Sequence, residues 1–415
     1  MFKYSGPKRR LTGRRVAFVI DKLADRSGGA ERVLIEAANE MAMRGHAVEI
    51  ITHEYRGRRP FYDIEVGVHL TNLRRHNRTR LNKVGYKFRS LVERFHPIPG
   101  VSRLSWVSKH GAFWRRLERH LQHNVPDAVV AFMPPAISAL ALAKLDPKVR
   151  KVASTHNAPI QDFTNPERWD PSRLDRRRRL KLLEKIDLIT VLLPEYQSWH
   201  AKEISEKIKV LPNAVSEVPQ SILDAAERER IVVSVGRLAS VKRHETLLRA
   251  WQIISKEHPS WKLRIYGDGP LKGYLLSLIQ ELGLTSAELC GHTPQIGAAY
   301  LRGKILAHPA QFEGFPLAVT EALASGMPVV GFSDCSGLNT LVEDGVNGIL
   351  VPETEDRVSS FASALSNLMA QEARISALSK NGPSSMKQYS PDDVYTMWEN
   401  ILFSDATKSE GLRAS

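Results

Sequence analysis

Two periodicities alternate along this chain. Short apolar runs without polar interruption, as strands buried on both faces require, are separated by stretches whose apolar positions recur three and four residues apart. In the first half, Val16 to Ile20, Val48 to Ile51, Ala128 to Phe132, Val152 to Ser154 and Leu188 to Val191 read as strands. Between the first two, Val33, Leu34, Ala37, Ala38 and Met41 form the buried stripe of a helix over Ala30 to Arg44, with Gly45 as its C-terminal stop. In the second half the runs are Ile231 to Val235, Leu263 to Tyr266, Leu289 to Cys290, Ile305 to Ala307, Val329 to Gly331 and Ile349 to Val351. Strands alternating with amphipathic helices predict parallel sheets.

The fold class is therefore α/β: two doubly wound, Rossmann-like domains facing across a cleft. At 415 residues the chain is too long for one ordinary core and suits two of about 200 residues each. Ser216 to Arg230 is polar, contains Pro219 and carries no strand signal, so the hinge is expected there. This gives domains over 1–215 and 216–390, with 391–415 read as a C-terminal helix returning to the first domain and then a polar tail.

Composition narrows the classes. Apolar content of 42% and charged content of 25% are those of a soluble globular protein. The two cysteines, Cys290 and Cys335, lack CxxC spacing, which argues against a disulfide framework or a zinc site and fits a reducing cytoplasm. The basic N-terminal segment lacks the apolar stretch of a signal peptide. The longest apolar run, around Ala136 to Ala143, falls far short of the ~20 residues that span a bilayer. Charge divides unevenly: residues 1–215 carry 41 Lys and Arg against 22 Asp and Glu, and residues 216–415 carry 18 against 23. The first half is thus +19 and the second −5, so an anionic partner should meet the first.

Candidate chemistry gathers at predicted strand ends, where open α/β sheets bind ligands. In EGFPLAVTE, Glu313 would sit in the loop after a short strand at Lys304 to Pro309, and Glu321 one turn into the next helix. Gly314 lets a ligand approach the backbone, Pro316 suits a helix's first turn, and unpaired N–H groups there suit an anion. Alone, the two glutamates read equally as a solvated helix face. Ser27-Gly28-Gly29-Ala30 follows the first strand; it is either a phosphate cradle or a tight turn that needs glycine. Arg237 and Lys242 follow the first strand of the second half, where a guanidinium fork and a compact ammonium could hold one diphosphate, or simply be surface cations. His156 ends another strand, in Ser154-Thr155-His156-Asn157, and is either structural or catalytic. In Tyr266-Gly267-Asp268-Gly269-Pro270 the glycines serve a tight turn, with Asp268 expected to cap the next element.

Five segments taken together resemble glycosyltransferase family 4. They are GGAERV at 28–33, VGRLASVKR at 235–243, YGDGPL at 266–271, EGFPLAVTEALASGMPVV at 313–330 and VEDGVNGILV at 342–351. The similarity covers about residues 14 to 380 and is densest in the second half. Members of that family have the GT-B fold and retain anomeric configuration. The resemblance implies that Gly28 and Gly29 approach the donor diphosphate and that Arg237 and Lys242 hold it. It sets Glu313 against the transferred sugar, the turn of Gly314, Phe315, Pro316 and Leu317 on the phosphates, and Glu321 on the ribose. His156 matches the histidine that contacts the donor sugar near the reacting carbon, and Asn213 the asparagine before the hinge. Ala214, Ser216 and Arg243 depart from the family, Arg243 replacing a frequent glycine.

The implied reaction is transfer of a hexose or N-acetylhexosamine from a nucleoside-diphosphate sugar, UDP-linked by resemblance, to a glycan or lipid-linked acceptor of the cell surface. No Asp-x-Asp motif occurs, so Arg237, Lys242 and the helix dipole are expected to replace a metal, and no cofactor is expected. The basic half should hold the acceptor. Within it, Leu81, Val84, Phe88, Leu91, Val92 and Phe95 stripe the stretch Arg80 to His96, which would lie on an anionic membrane or cover the first sheet. Leu104, Val107, Trp114, Leu117 and Leu121, over Arg103 to His123, are expected in the core, and the Arg176 to Arg179 run on a solvated helix edge. These features place the protein in the cytoplasm, peripheral to the inner face of its membrane. An epimerase of the same fold, acting without an acceptor, is the rival enzyme. Nucleic acid is not an expected partner, because neither a finger nor a helix-turn-helix signature accompanies the charge.

Overall fold

The computed structural model describes residues 13–55, 57–74, 99–165, 169, 173–216 and 227–404. The stretch Arg80 to His96, the N-terminal basic segment and most of the expected hinge lie outside the described residues. Two compact units form: residues 1–212 with 394–415, and residues 213–393.

In the first unit seven parallel strands run in the order β3-β2-β1-β4-β5-β6-β7. They are β1 (Arg15–Val19), β2 (Ala47–Thr52), β3 (Val68–Asn72), β4 (Ala128–Phe132), β5 (Arg150–Ser154), β6 (Leu188–Val191) and β7 (Ile208–Val210). Helix α1 (Gly29–Met43) buries Val33, Leu34, Ala37, Ala38 and Met41. It stops where Gly45, at φ +96°, donates to the Ala42 carbonyl while His46 donates to Met41, the double bond of a glycine-terminated helix. Helix α2 (Pro99–His123) packs Phe113, Leu117 and Leu121 inside but leaves Val107 and Trp114 only half-buried. Helix α3 (Met133–Leu142) follows β4 directly, and α4 (Arg173–Leu183) precedes β6.

One expectation fails in α4. Arg177 is exposed, but Arg179 is buried, pairs with Asp175 at 2.8 Å and donates to the Asp162 carbonyl. A solvated edge would have left it free. Asp175 neutralises the buried charge and Nη1 has its acceptor, while Nε and Nη2 lack a hydrogen-bond partner among the described residues.

The second unit has six parallel strands in the order β10-β9-β8-β11-β12-β13. They are β8 (Ile231–Val235), β9 (Lys262–Tyr266), β10 (Ala287–Gly291), β11 (Ile305–His308), β12 (Val329–Phe332) and β13 (Gly348–Val351). Helices α5 (His244–Ile254), α6 (Lys272–Glu281), α7 (Leu317–Ala324) and α8 (Arg357–Met369) accompany them, and Trp251, Leu263, Phe332 and Phe361 lie in the core between. In both sheets the order reverses beside the first strand, between β1 and β4 and between β8 and β11. Those are the topological switch points of a doubly wound sheet.

Helix α9 (Pro391–Phe403) groups from Val394 onward with the first unit. Trp398 is 2% exposed and meets Phe18 edge-on at 6.0 Å. Glu399 accepts from Arg44 at 2.9 Å and faces His46 Nε2 at 3.0 Å, while Arg150 donates to the Ile401 carbonyl at 2.8 Å. The last bond satisfies a carbonyl left open at the helix end.

Candidate active site

In the second unit, β8 and β11 deliver their carboxyl ends side by side at the switch point. After β8 the chain turns through Gly236 and Arg237 into the short turn Ser240–Lys242. The turn is held from behind by the loop after β9: Gly236 donates to the Tyr266 carbonyl, and Leu238 to that of Asp268. The two loops touch backbone to backbone. At Gly267, φ +141°, an added Cβ would lie 2.0 Å from the Gly236 oxygen, and at Gly269 it would lie 2.5 Å from that of Leu238. Asp268 accepts from its neighbour Gly269 at 2.7 Å and does not cap α6, whose N-cap is Leu271. The turn satisfies the aspartate locally before the helix begins.

Lys242 folds back along Gly236 and forms an ion pair with Glu313. Glu313 stands in the loop after β11, which is fixed twice over. Gln311 donates to the Val241 carbonyl, and Glu313 N–H to that of Ser336. Gly337, at φ +78°, lies so close that a Cβ would come 2.9 Å from the Glu313 carbonyl oxygen. The same carboxylate oxygen that meets Lys242 also faces His308 Nε2 at 2.9 Å. Burial alone would push the Glu313 carboxyl up; the Lys242 charge and the His308 hydrogen bond outweigh it and hold the group at about 2. Behind them, burial pushes the Cys335 thiol up to about 12, with the Glu313 charge adding to it. This is an inert, protonated thiol.

Gly314 and Phe315 continue the turn, Phe315 buried edge-on against Tyr389 at 5.2 Å. Pro316 is the N-cap of α7, and Leu317 its first residue. Glu321 lies one turn into α7, half-buried. Arg237 projects exposed from the turn that Lys242 closes. The structure therefore brings Lys242 and Glu313 into contact and puts Arg237 on the same loop.

Two histidines here carry no motif. His308 ends β11, and His244 opens α5 at 3% exposure with Nδ1 buried and unpartnered among the described residues. Burial, with Lys242 and His308 adding to it, drives His244 down to about 3. The signal for His308 was present, a polar residue closing an otherwise apolar run five positions before Glu313, but the run reads as strand alone. Arg243 adopts the left-handed region at φ +49°, ψ +37°. That conformation explains the glycine more usual at this position.

In the first unit, Gly28 is the N-cap of α1 and Gly29 its first residue. A Cβ on Gly28 would lie 2.3 Å from the Glu31 carboxylate. The glycine thus admits Glu31 to the positive end of α1, where a phosphate cradle was expected. His156 follows β5. Thr190 Oγ1 donates to Ser154 Oγ at 3.0 Å, which leaves the Ser154 hydrogen for His156 Nε2 at 2.9 Å. We infer from that chain that the neutral ring carries its proton on Nδ1, which is buried without a partner among the described residues. Burial lowers the imidazole to about 3, and the ring stacks on Phe132 at 4.6 Å, itself stacked on Trp398.

Backbone strain marks the same edges. The four non-glycine residues with positive φ among the described residues are Asp25, Met133, Trp169 and Arg243. Met133 directly follows β4, Asp25 and Arg243 lie in the connections after β1 and β8, and Trp169 lies beyond the short helix Pro159–Phe163 that follows β5. Such residues persist where a site demands them.

Two parallel doubly wound units, the second with cations and a carboxylate at its switch point, define an α/β architecture of the Rossmann-like kind. The family models agree: residues 27–217 match Glycosyltransferase Family 4, and residues 217–385 match Glycosyl transferases group 1. The chain belongs to glycosyltransferase family 4 and has the GT-B fold. An uncharacterized glycosyltransferase of Haemophilus influenzae is 26% identical over 94% of this chain and 100% of its own length. An exopolysaccharide phosphotransferase of Streptomyces coelicolor is 26% identical over 91% of this chain, which spans 39% of that relative's length. The Staphylococcus aureus TarM structure, in complex with Fondaparinux, alpha-GlcNAc-glycerol and UDP, superposes with a TM-score of 0.72 at 13% identity, covering 94% of this chain and 100% of TarM. Among the described residues no helix is long and apolar enough to cross a membrane.

Proposed function

We propose that the protein transfers a hexose or N-acetylhexosamine from a UDP-linked sugar to a lipid-linked or polysaccharide acceptor in cell-surface glycan assembly, with retention of configuration and without a metal. The observation that carries this is the Lys242–Glu313 pair at the switch point, with Arg237 on the same turn. A diphosphate seated there meets the Arg237 fork and the Lys242 ammonium, and one ammonium serves both phosphate and Glu313. Glu313, fully ionised, accepts a hydroxyl hydrogen of the transferred sugar. Glu321 takes the ribose.

In the step itself the bond from the anomeric carbon to the phosphate oxygen breaks. The acceptor oxygen attacks from the face that oxygen leaves, and its proton passes to the departing phosphate. Positive charge grows on the anomeric carbon. The UDP in the TarM complex and the exopolysaccharide role in the name of the Streptomyces relative support the donor and acceptor classes. The basic N-terminal half supports an acceptor presented at an anionic membrane.

Thermal shift against a panel of nucleotide-sugars tests the donor, since a ligand at 100 times its Kd stabilises by about 2.7 kcal/mol. Arg237→Ala should abolish the shift; an undiminished shift would place the diphosphate elsewhere. Product formation should survive EDTA, and the anomeric coupling of the product reports retention. Flotation with acidic and neutral liposomes at low and high salt tests the membrane. Equal recovery in the soluble fraction throughout would remove that part.

A further inference from the structure

We propose that His308 is a positioning residue for sugar transfer: it keeps Glu313 aimed at the donor sugar while the diphosphate draws on Lys242. The role presupposes the transferase reading and deepens it. Glu313 Oε1 lies between two donors of different kinds, the Lys242 ammonium and His308 Nε2, the latter at 2.9 Å. Lys242 reaches it from the short turn Ser240–Lys242, on a stem whose side chain is 22% exposed. His308 reaches it from the last residue of β11, and its ring is 3% exposed. One donor sits on a flexible stem; the other is fixed by the strand.

The two contacts answer different needs. A diphosphate held by Arg237 and Lys242 divides the ammonium between two anions, so Glu313 loses part of its cation as the sugar arrives. The Glu313 side chain is 13% exposed, and water makes up little of that loss. The imidazole still donates to Oε1, since a carboxylate only accepts, and so holds the plane of the group that faces the sugar. Other titratable groups packed nearby supply no second cation: burial keeps His244 neutral, and Cys335 is a protonated thiol. The first three residues of β11, Ile305, Leu306 and Ala307, are apolar and buried. An apolar side chain at the fourth would continue that packing but donate nothing to Glu313.

Titration calorimetry on the full chain tests this, with UDP, UDP-glucose, UDP-galactose and UDP-N-acetylglucosamine as probes. His308→Leu keeps bulk and removes the donor. It should weaken the best-bound UDP-sugar about tenfold and UDP by less than about twofold, as loss of a hydrogen bond to a charged group predicts. His308→Gln, whose amide can replace the Nε2–H, should stay within about threefold of wild type for both. Between pH 7 and pH 4, roughly, the UDP-sugar affinity of wild type should hold steady and that of His308→Leu should fall, because its Glu313 takes up a proton at higher pH. Equal weakening of UDP and UDP-sugar in His308→Leu overturns the proposal, since a purely structural role predicts it. So does wild-type UDP-sugar affinity in that variant, or a pH dependence it shares with wild type. If His308→Leu does not fold, His308→Asn, whose shorter amide stops short of Oε1, gives the same comparison. A wild type that binds no UDP-sugar strikes the proposed donor instead.

Discussion

Replacing Glu313 by Gln keeps the shape of the site and removes its charge, so its cost can be worked from the structure. The Glu313 carboxyl is held at about 2 against an ordinary value of 4.5: burial raises it, and Lys242 and His308 lower it by more. A group lowered on folding stabilises the protein above its unfolded value, and that contribution is lost as the pH falls towards the folded one. The difference, at about 1.4 kcal/mol per pH unit, amounts to about 3 kcal/mol at neutral pH. Glu313→Gln should therefore lower the melting temperature of the second unit by about 6–12 °C at pH 7. The gap between wild type and variant should shrink to about half by pH 3 and close near pH 2. Scanning calorimetry of both proteins without nucleotide, at pH 7 and at pH 3, gives the comparison. Equal melting at pH 7, or a gap that does not narrow on acidification, would mean that Lys242 and His308 do not hold this carboxylate.

Three other substitutions probe the frame around the site. Gly267→Ala drives a methyl into the Gly236 carbonyl at a positive φ, so urea unfolding should show a loss of about 3 kcal/mol or more. Arg243→Gly removes a left-handed arginine whose Nη1 is buried without a partner among the described residues; a gain of about 1 kcal/mol and a higher melting temperature should result. Trp398→Ala empties the space against Phe18 and Phe132 and should cost about 4 kcal/mol in the first unit, read from its denaturant midpoint.

The interior strands of both sheets were legible because parallel strands buried on two faces must be continuously apolar. Edge strands β3 and β7 were not: Val68–Asn72 and Ile208–Val210 are short and largely polar or exposed, so no apolar run announces them. Glu313 and Lys242 could be singled out from motif and spacing, but their pairing could not. It depends on Gly236 leaving room for the lysine stem and on Gly337 letting the 333–337 loop close under Glu313. His308 was passed over because an apolar run closed by a polar residue reads as strand alone, and His244 because a histidine at a helix start has no pattern until its neighbours are known. Arg179 was misread for a similar reason. Its partners, Asp175 on its own helix and the Asp162 carbonyl, become visible only once the loop after β5 has a place.

The placement of α9 has a bearing on how the polypeptide acquires its form during synthesis. Residues 213–393 are contiguous and hold every strand of their sheet, so that unit can mature as soon as it leaves the ribosome. The earlier-made unit must wait, with Phe18 and Phe132 unsealed, until Trp398 arrives. The segment synthesised first is thus completed last, and the ring that backs Phe132, behind His156, is among its final pieces.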